Sequence, residues 1–299
     1  MKAMKFKLSG VLVLLVSLVL PAAGPSVLYS APEGEALNWE TDWNKAFKDA
    51  AAAKRPVLVD FYTDWCPPCK KLAAVTFVDE NMIGYFNKEN YMLIKINPEK
   101  DRVAEDKFKV YSYPTLVVFN PAGAETDRIL GFRTAEELIK ILEDLKKGIG
   151  TLEDLLNRLE KIKEEKTQAA FDLRLEILAK YIARAAFPEA LAMVDKIVAL
   201  DKDNALKQAS AALFQKGFIY YKWKKYKEAI DALTAIQKVY PEAAEAEEGY
   251  AAAAYYSEKL KDPALTLKIL KEYVKLFPGT EYSESARKKI AELEKSAGN

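Results

Sequence analysis

The chain has 299 residues, half of them apolar, which suggests about two domains by the rough rule of one per ~150 residues. Lysine plus arginine (45) almost balances aspartate plus glutamate (44), which argues against a nucleic-acid partner held by bulk charge. There is no histidine, which removes Cys-His and Ser-His nucleophile pairs, histidine-ligated metals and haem held through histidine.

The N-terminus has the layout of an export signal. Three lysines in MKAMKFK precede the apolar run Val11 to Leu20, and the small residues of PAAGPS follow it. The run is short against the ~20 residues that a spanning helix needs, so residues 1–30 read either as a cleaved signal or as an uncleaved N-terminal anchor. No cysteine follows it, which removes a lipoprotein anchor. Either way the remainder is expected in an oxidising place, a bacterial periplasm or cell envelope.

Next comes TDWNKAFKDAAA (Thr41 to Ala52), which places Trp43, Ala46, Phe47 and Ala50 on one helical face, with Thr41 or Asp42 as cap. RPVLVDFYTD (Arg55 to Asp64) reads as a buried central strand, and CKKLAAV as the helix after it. Between them lie the only two cysteines, Cys66 and Cys69, separated by two prolines. A disulfide that encloses two residues closes almost no loop and is a poor staple. A mononuclear zinc site needs three or four ligands and would find two sulfurs and no histidine, so no metal or cofactor is called for. The remaining reading is a reversible dithiol/disulfide couple.

A cysteine at a strand-to-helix junction faces the positive end of the helix dipole and unpaired amide donors, which makes Cys66 the attacking sulfur. Cys69, one turn deeper, is expected to be the less accessible, resolving one. A residue before proline avoids the helical region, so Pro67 is expected to be extended and the helix to begin near Pro68. Both prolines lack an amide hydrogen, leaving only the Cys69 N–H of that turn to solvate a Cys66 thiolate. A nucleophile pKa in the upper part of the activated range of about 3.5 to 7.5 follows, and a couple that is reducing rather than strongly oxidising.

VLVDFYTDWCPPCKKL (Val57 to Leu72) resembles the active-site segment of the thioredoxin family. The resemblance continues through SYPTLVVFNPAG (Ser112 to Gly123) and ILGFRTAEELIKIL (Ile129 to Leu142), so it spans roughly residues 36–147. TFVDENMIGYFNKENYMLIKIN (Thr76 to Asn97) is more similar to exported thioredoxin-like proteins than to the small cytosolic ones. The resemblance implies an α/β thioredoxin fold and protein-disulfide oxidoreductase activity. It makes Cys66 the nucleophile, Cys69 the resolving cysteine, Asp60 the acceptor of the resolving thiol's proton, and Lys95 the partner of Asp60. Trp65, Tyr113 and Pro114 match substrate-binding positions, Pro114 being the family's cis-proline and Tyr113 the residue whose backbone pairs with an extended substrate. The C-P-P-C loop departs from the usual C-G-P-C, and Tyr113 is bulkier than the residues common at its position. Protein disulfides are then the substrates, and a membrane thiol reductase the implied electron donor.

LVVFNPAG followed by RILGF reads as a hairpin, and Thr134 with Glu137 as a capping box opening the last helix of this part. After the linker glycines Gly148 and Gly150 strand signals vanish. GFIYYKWKKYKEAIDALTAIQKVYP (Gly217 to Pro241) resembles a tetratricopeptide repeat: tyrosine, alanine and proline follow Gly217 at offsets of 3, 12 and 24. The offsets recur from Leu178 to Lys202 and more weakly from Ala254 to Pro278, with end positions 39 and 37 residues apart. Residues 151–299 are therefore expected to form an all-α stack of three helix pairs that binds a protein or peptide. Tyr220, Tyr221, Trp223 and Tyr226, interleaved with lysines, read as packing aromatics beside a solvated turn and not as a nucleic-acid patch. Two functions stand: an exported reductase whose repeats hold its client, or a co-chaperone-like scaffold in which the dithiol is secondary.

Overall fold

The structure is a computed structural model and describes residues 37–297. The candidate export segment, residues 1–30, lies outside them. Among the described residues no helix is long and apolar enough to cross a membrane. The chain divides into two compact units after Lys161.

The first unit is built on a mixed five-stranded sheet, β1 (Trp39–Glu40), β2 (Val57–Phe61), β3 (Met92–Ile96), β4 (Thr115–Phe119) and β5 (Glu125–Leu130). Its spatial order is β1-β3-β2-β4-β5, with β3 parallel to both neighbours and β4 antiparallel to β2 and β5. Strand alternation separates two cores. Val57, Val59 and Phe61, with Met92, Ile94 and Ile96, pack against α1 (Trp43–Ala53) and α4 (Arg102–Phe108). Leu58, Leu93, Leu116 and Val118 pack on the other face against α2 (Pro67–Lys71) with its continuation, α3 (Glu80–Lys88) and α5 (Ala135–Lys146). Asp60 and Lys95 share this second face, since each lies two residues from one of these leucines.

Local chemistry explains where these elements begin. Of the two candidate caps for α1, Asp42 is used, its side chain accepting the Lys45 N–H. Thr134 and Glu137 form both halves of the capping box on α5. The N-terminus of α2 corrects the expectation that the helix starts near Pro68: Pro67 is already helical. Cys66 takes the extended cap conformation instead, and a proline just inside a helix sacrifices only a donor that had no partner. Beyond Lys71 the helix widens into a π-turn, Leu72–Thr76, where a longer regular helix was expected. The Thr76 hydroxyl donates to the Arg133 carbonyl (2.5 Å), tying that turn to the segment before α5. After α5, Gly148 and Gly150 take positive φ (74° and 72°), and α6 (Leu152–Glu160) completes the unit.

The second unit contains seven α-helices among its described residues and no strand: α7 (Gln168–Ala183), α8 (Phe187–Leu200), α9 (Gln208–Lys222), α10 (Tyr226–Val239), α11 (Ala244–Ser257), α12 (Pro263–Leu276) and α13 (Glu281–Ala297). Each packs mainly on its neighbours: one core joins α7, α8 and α9, another α10 through α13. The offsets read from the sequence fall at equivalent places. Leu178, Gly217 and Ala254 are buried on α7, α9 and α11, and Ala190, Ala229 and Thr266 are buried on α8, α10 and α12. Lys202, Pro241 and Pro278 each lie two residues beyond α8, α10 and α12. Gly217 marks the tightest approach, since a Cβ there would stand 2.3 Å from Leu233 Cγ. Tyr221 stacks on Tyr256 with centroids 4.0 Å apart and Trp223 lies against Phe187 at 5.4 Å, so these aromatics join successive helix pairs.

Candidate active site

β2 is the central strand that delivers the site. Its five residues are all buried, and two residues beyond Phe61 the chain turns at Thr63 into the Cys66 cap, where the Cys66 N–H donates to the Thr63 carbonyl (3.3 Å). Cys66 and Cys69 are bonded to each other, with Cα atoms 5.3 Å apart. The Cys69 N–H donates to Cys66 Sγ at 3.2 Å, so a sulfur occupies the place that a serine or aspartate oxygen fills at other helix caps. That donor and the helix dipole both favour negative charge on Cys66.

The expected order of accessibility is absent: Cys66 is 2% exposed and Cys69 6%. Trp65, Pro67 and Pro68 around them are exposed. Cys66 is the cap of α2, its sulfur bonded to Cys69 and accepting the Cys69 N–H, and it is buried although its neighbours Trp65 and Pro67 are exposed.

Trp65 is 63% exposed. Its indole N–H donates to Glu99 Oε1 (2.8 Å), and its ring meets Tyr113 edge-on at 6.3 Å. Beside it Asp64 pairs with Lys100 at 2.7 Å. The Tyr113–Pro114 peptide is cis, Pro114 is buried, and its carbonyl accepts the Gly131 N–H at 2.8 Å. Tyr113 is half-buried, and its own main chain makes no hydrogen bond among the described residues.

Asp60 is 3% exposed. Burial pushes its carboxyl up to about 7, against the opposing pull of the Lys95 ammonium. The parallel register sets the two residues side by side, and Lys95 Nζ lies 3.9 Å from Asp60 Oδ2, an ion pair without a hydrogen bond. Asp60 Oδ1, Thr63 Oγ1 and Asn97 Nδ2 are buried with no protein partner, a set of polar atoms at the ends of adjacent strands β2 and β3. A carboxyl poised near neutral pH can hold and release a proton in the physiological range.

The structure therefore brings Asp60 beside Lys95, Cys66 onto Cys69, and Trp65 beside Tyr113. Sequence reading passed over Glu99, Thr63 and Asn97, and also Trp39, Tyr62 and Phe77, whose rings surround the Lys95 ammonium. β1 is two residues long and carries no periodic signal, so nothing in the sequence marks Trp39.

A family model described as a thioredoxin-like domain matches residues 43–146. A thioredoxin of Staphylococcus saprophyticus is 37% identical over 86 residues, which cover 29% of this chain and 78% of that protein. Thioredoxin Y1 of Arabidopsis thaliana is 34% identical over 90 residues, 30% of this chain, which spans about half of that relative (49%). The thiol:disulfide interchange protein DsbD of Campylobacter jejuni is 36% identical over 93 residues, 30% of this chain and 16% of that one.

Proposed function

This chain belongs to the thioredoxin-like family through its N-terminal unit, and from that premise we propose that it is an exported thiol-disulfide oxidoreductase that reduces protein disulfides. One observation carries the reading: a Cys66–Cys69 disulfide capping a helix at the end of a buried central strand, with a near-neutral carboxyl on that strand.

In the reduced chain the Cys66 thiolate attacks one sulfur of a client disulfide, whose S–S bond breaks as a mixed disulfide forms and the first client thiolate leaves. The Cys69 thiol then gives its proton to the Asp60 carboxylate, and its sulfur attacks Cys66 Sγ, releasing the second client thiolate. Two electrons have passed to the client, whose sulfurs leave as thiolates and take their protons from solvent. The Cys69 proton stays on Asp60 until solvent removes it, and the protein is left in the oxidised form described above. Asp60 near 7 is a carboxylate often enough at neutral pH to accept that proton. Lys95 favours its ionised form. Tyr113, with its main chain unengaged beside exposed Trp65, offers a short strand-like edge to an extended client segment.

The direction is a reductase's because Pro67 and Pro68 remove two amide donors, and the Cys69 N–H is the amide of that turn that reaches Cys66 Sγ. Fewer donors stabilise the thiolate less, which makes the dithiol the better electron donor. A potential nearer the reducing end, about −270 mV, than the oxidising end, about −120 mV, is expected in equilibrium with dithiothreitol. Recharging then falls to a membrane thiol reductase in the envelope, a role suggested by the likeness to a thiol:disulfide interchange protein. The helix pairs of the second unit hold the client or partner. Insulin disulfide reduction by the wild type and its loss in Cys66→Ser test the enzyme. Full reduction by Cys66→Ser would reject it and leave the scaffold reading.

A further inference from the structure

Lys95 is a long, flexible side chain that reaches no hydrogen-bond partner among the described residues, and its attraction to Asp60 acts across 3.9 Å. Three rings nevertheless enclose its ammonium. Nζ lies 4.7 Å from the centroid of Trp39, 5.6 Å from Phe77 and 5.8 Å from Tyr62, all within cation–π range. These rings come from three separate elements. Trp39 stands on β1 opposite Leu93, which turns it to the same sheet face as Lys95. Tyr62 directly follows β2. Phe77 closes the π-turn after α2, its N–H bonding back to the Leu72 carbonyl (3.1 Å), and it packs on Trp39 at 4.8 Å.

We propose that Trp39, Tyr62 and Phe77 are positioning residues of the redox site: their rings hold the Lys95 ammonium beside Asp60 and so set the pH range over which Asp60 can take the Cys69 proton. The proposal rests on the reading of Asp60 as that proton acceptor. A lysine released to solvent would carry its charge away from Asp60 and screen it with water, and the carboxylate would lose its stabilising neighbour. The midpoint of the resolving step then moves to higher pH. The other groups brought by the surrounding elements do not replace Lys95: β1 adds the exposed Glu40, β2 the Tyr62 phenol, and α2 adds Lys70 and Lys71, the latter over the Phe132 ring. The π-turn and β4 bring no charged side chain.

The full-length reduced protein is mixed with one equivalent of an aromatic nitrothiobenzoate disulfide. Release of the second coloured thiol, the attack by Cys69, is timed from pH 5 to 9. Trp39→Leu and Phe77→Leu are each expected to move the midpoint up by about half a unit, a roughly threefold slower release below it. Trp39, the nearest ring, has the larger effect, and Trp39→Phe restores the wild-type profile. Lys95→Met makes the same alkaline shift, and adding Trp39→Leu to it moves the midpoint no further.

Wild-type midpoints in Trp39→Leu and Phe77→Leu, with Asp60→Asn abolishing the pH-dependent rise, would overturn the cage and leave Asp60 as acceptor. An equal Trp39→Leu shift in the Lys95→Met background would overturn it as well, by showing that the ring acts through packing alone. An unchanged profile in Asp60→Asn would overturn the acceptor reading and the cage together. If Trp39→Leu does not fold, Phe77→Leu and Tyr62→Leu carry the same comparison.

Discussion

Asp60, the proton acceptor proposed above, would tie the exchange chemistry to the stability. Its ordinary value is 3.8, and burial lifts it to about 7 in the folded protein. Between these values the native state binds a proton that the unfolded chain has released, so stability falls as pH rises from about 4 through 7 and levels off above. Asp60→Asn should therefore stabilise the oxidised protein by about 1–3 kcal/mol at pH 8 and by little at pH 4, measured by urea unfolding at each pH. Parallel losses in wild type and variant across that range would contradict the assignment. At this scale the sequence was most readable where residues are contiguous: the cysteines, Asp60 and Pro114 stand in two short motifs. Lys95 was named through the family resemblance, and the parallel register of the structure sets it beside Asp60. What stayed hidden depends on rotamers and distant partners. The burial of Cys66 is seen only in the folded chain, and the Trp65–Glu99 hydrogen bond spans 34 residues.

The elements obey their local signals, and departures from them have identifiable causes. Pro67 enters α2 because Cys66 makes a good cap, which outweighs the bias of a residue that precedes proline. The third helix pair repeats the pattern weakly for a reason visible only in three dimensions. Where the earlier pairs have tyrosine and alanine, it has Ser257 and Thr266, whose hydroxyls meet at 2.8 Å in the core. The smaller first residue leaves room for the larger second one, and their hydrogen bond satisfies both buried groups. Gly217 is the converse case, a residue that the repeat pattern flagged and that packing explains. Gly217→Ala should cost about 1–3 kcal/mol by driving a methyl into Leu233, despite alanine's better helix propensity. In a Leu233→Ala background the same substitution should be nearly neutral. Thermal unfolding of the four proteins checks this, and an equal cost in both backgrounds would contradict the close approach.

For the whole molecule, the sheet unit carries every residue proposed for the exchange chemistry, and the described residues of the helical unit offer no constellation of that kind. If the helix pairs serve to hold clients, deleting residues 162–299 should leave the reaction with a small aromatic disulfide within about twofold, since the thiol chemistry is local. The same deletion should lower the rate toward a protein client by roughly tenfold or more, through loss of a second point of attachment. Equal losses toward both substrates would argue that the helical unit supports the fold of the first and does not select clients. The central claim, electron transfer through Cys66 with Cys69 as resolver, is tested most directly by trapping. Reduced full-length Cys69→Ala is mixed with an aromatic disulfide and analysed by intact mass and peptide mapping. A single stable adduct on Cys66 is expected, with none formed at a comparable rate on Cys69 in Cys66→Ala. Absence of any adduct, or faster capture by Cys69, would contradict it.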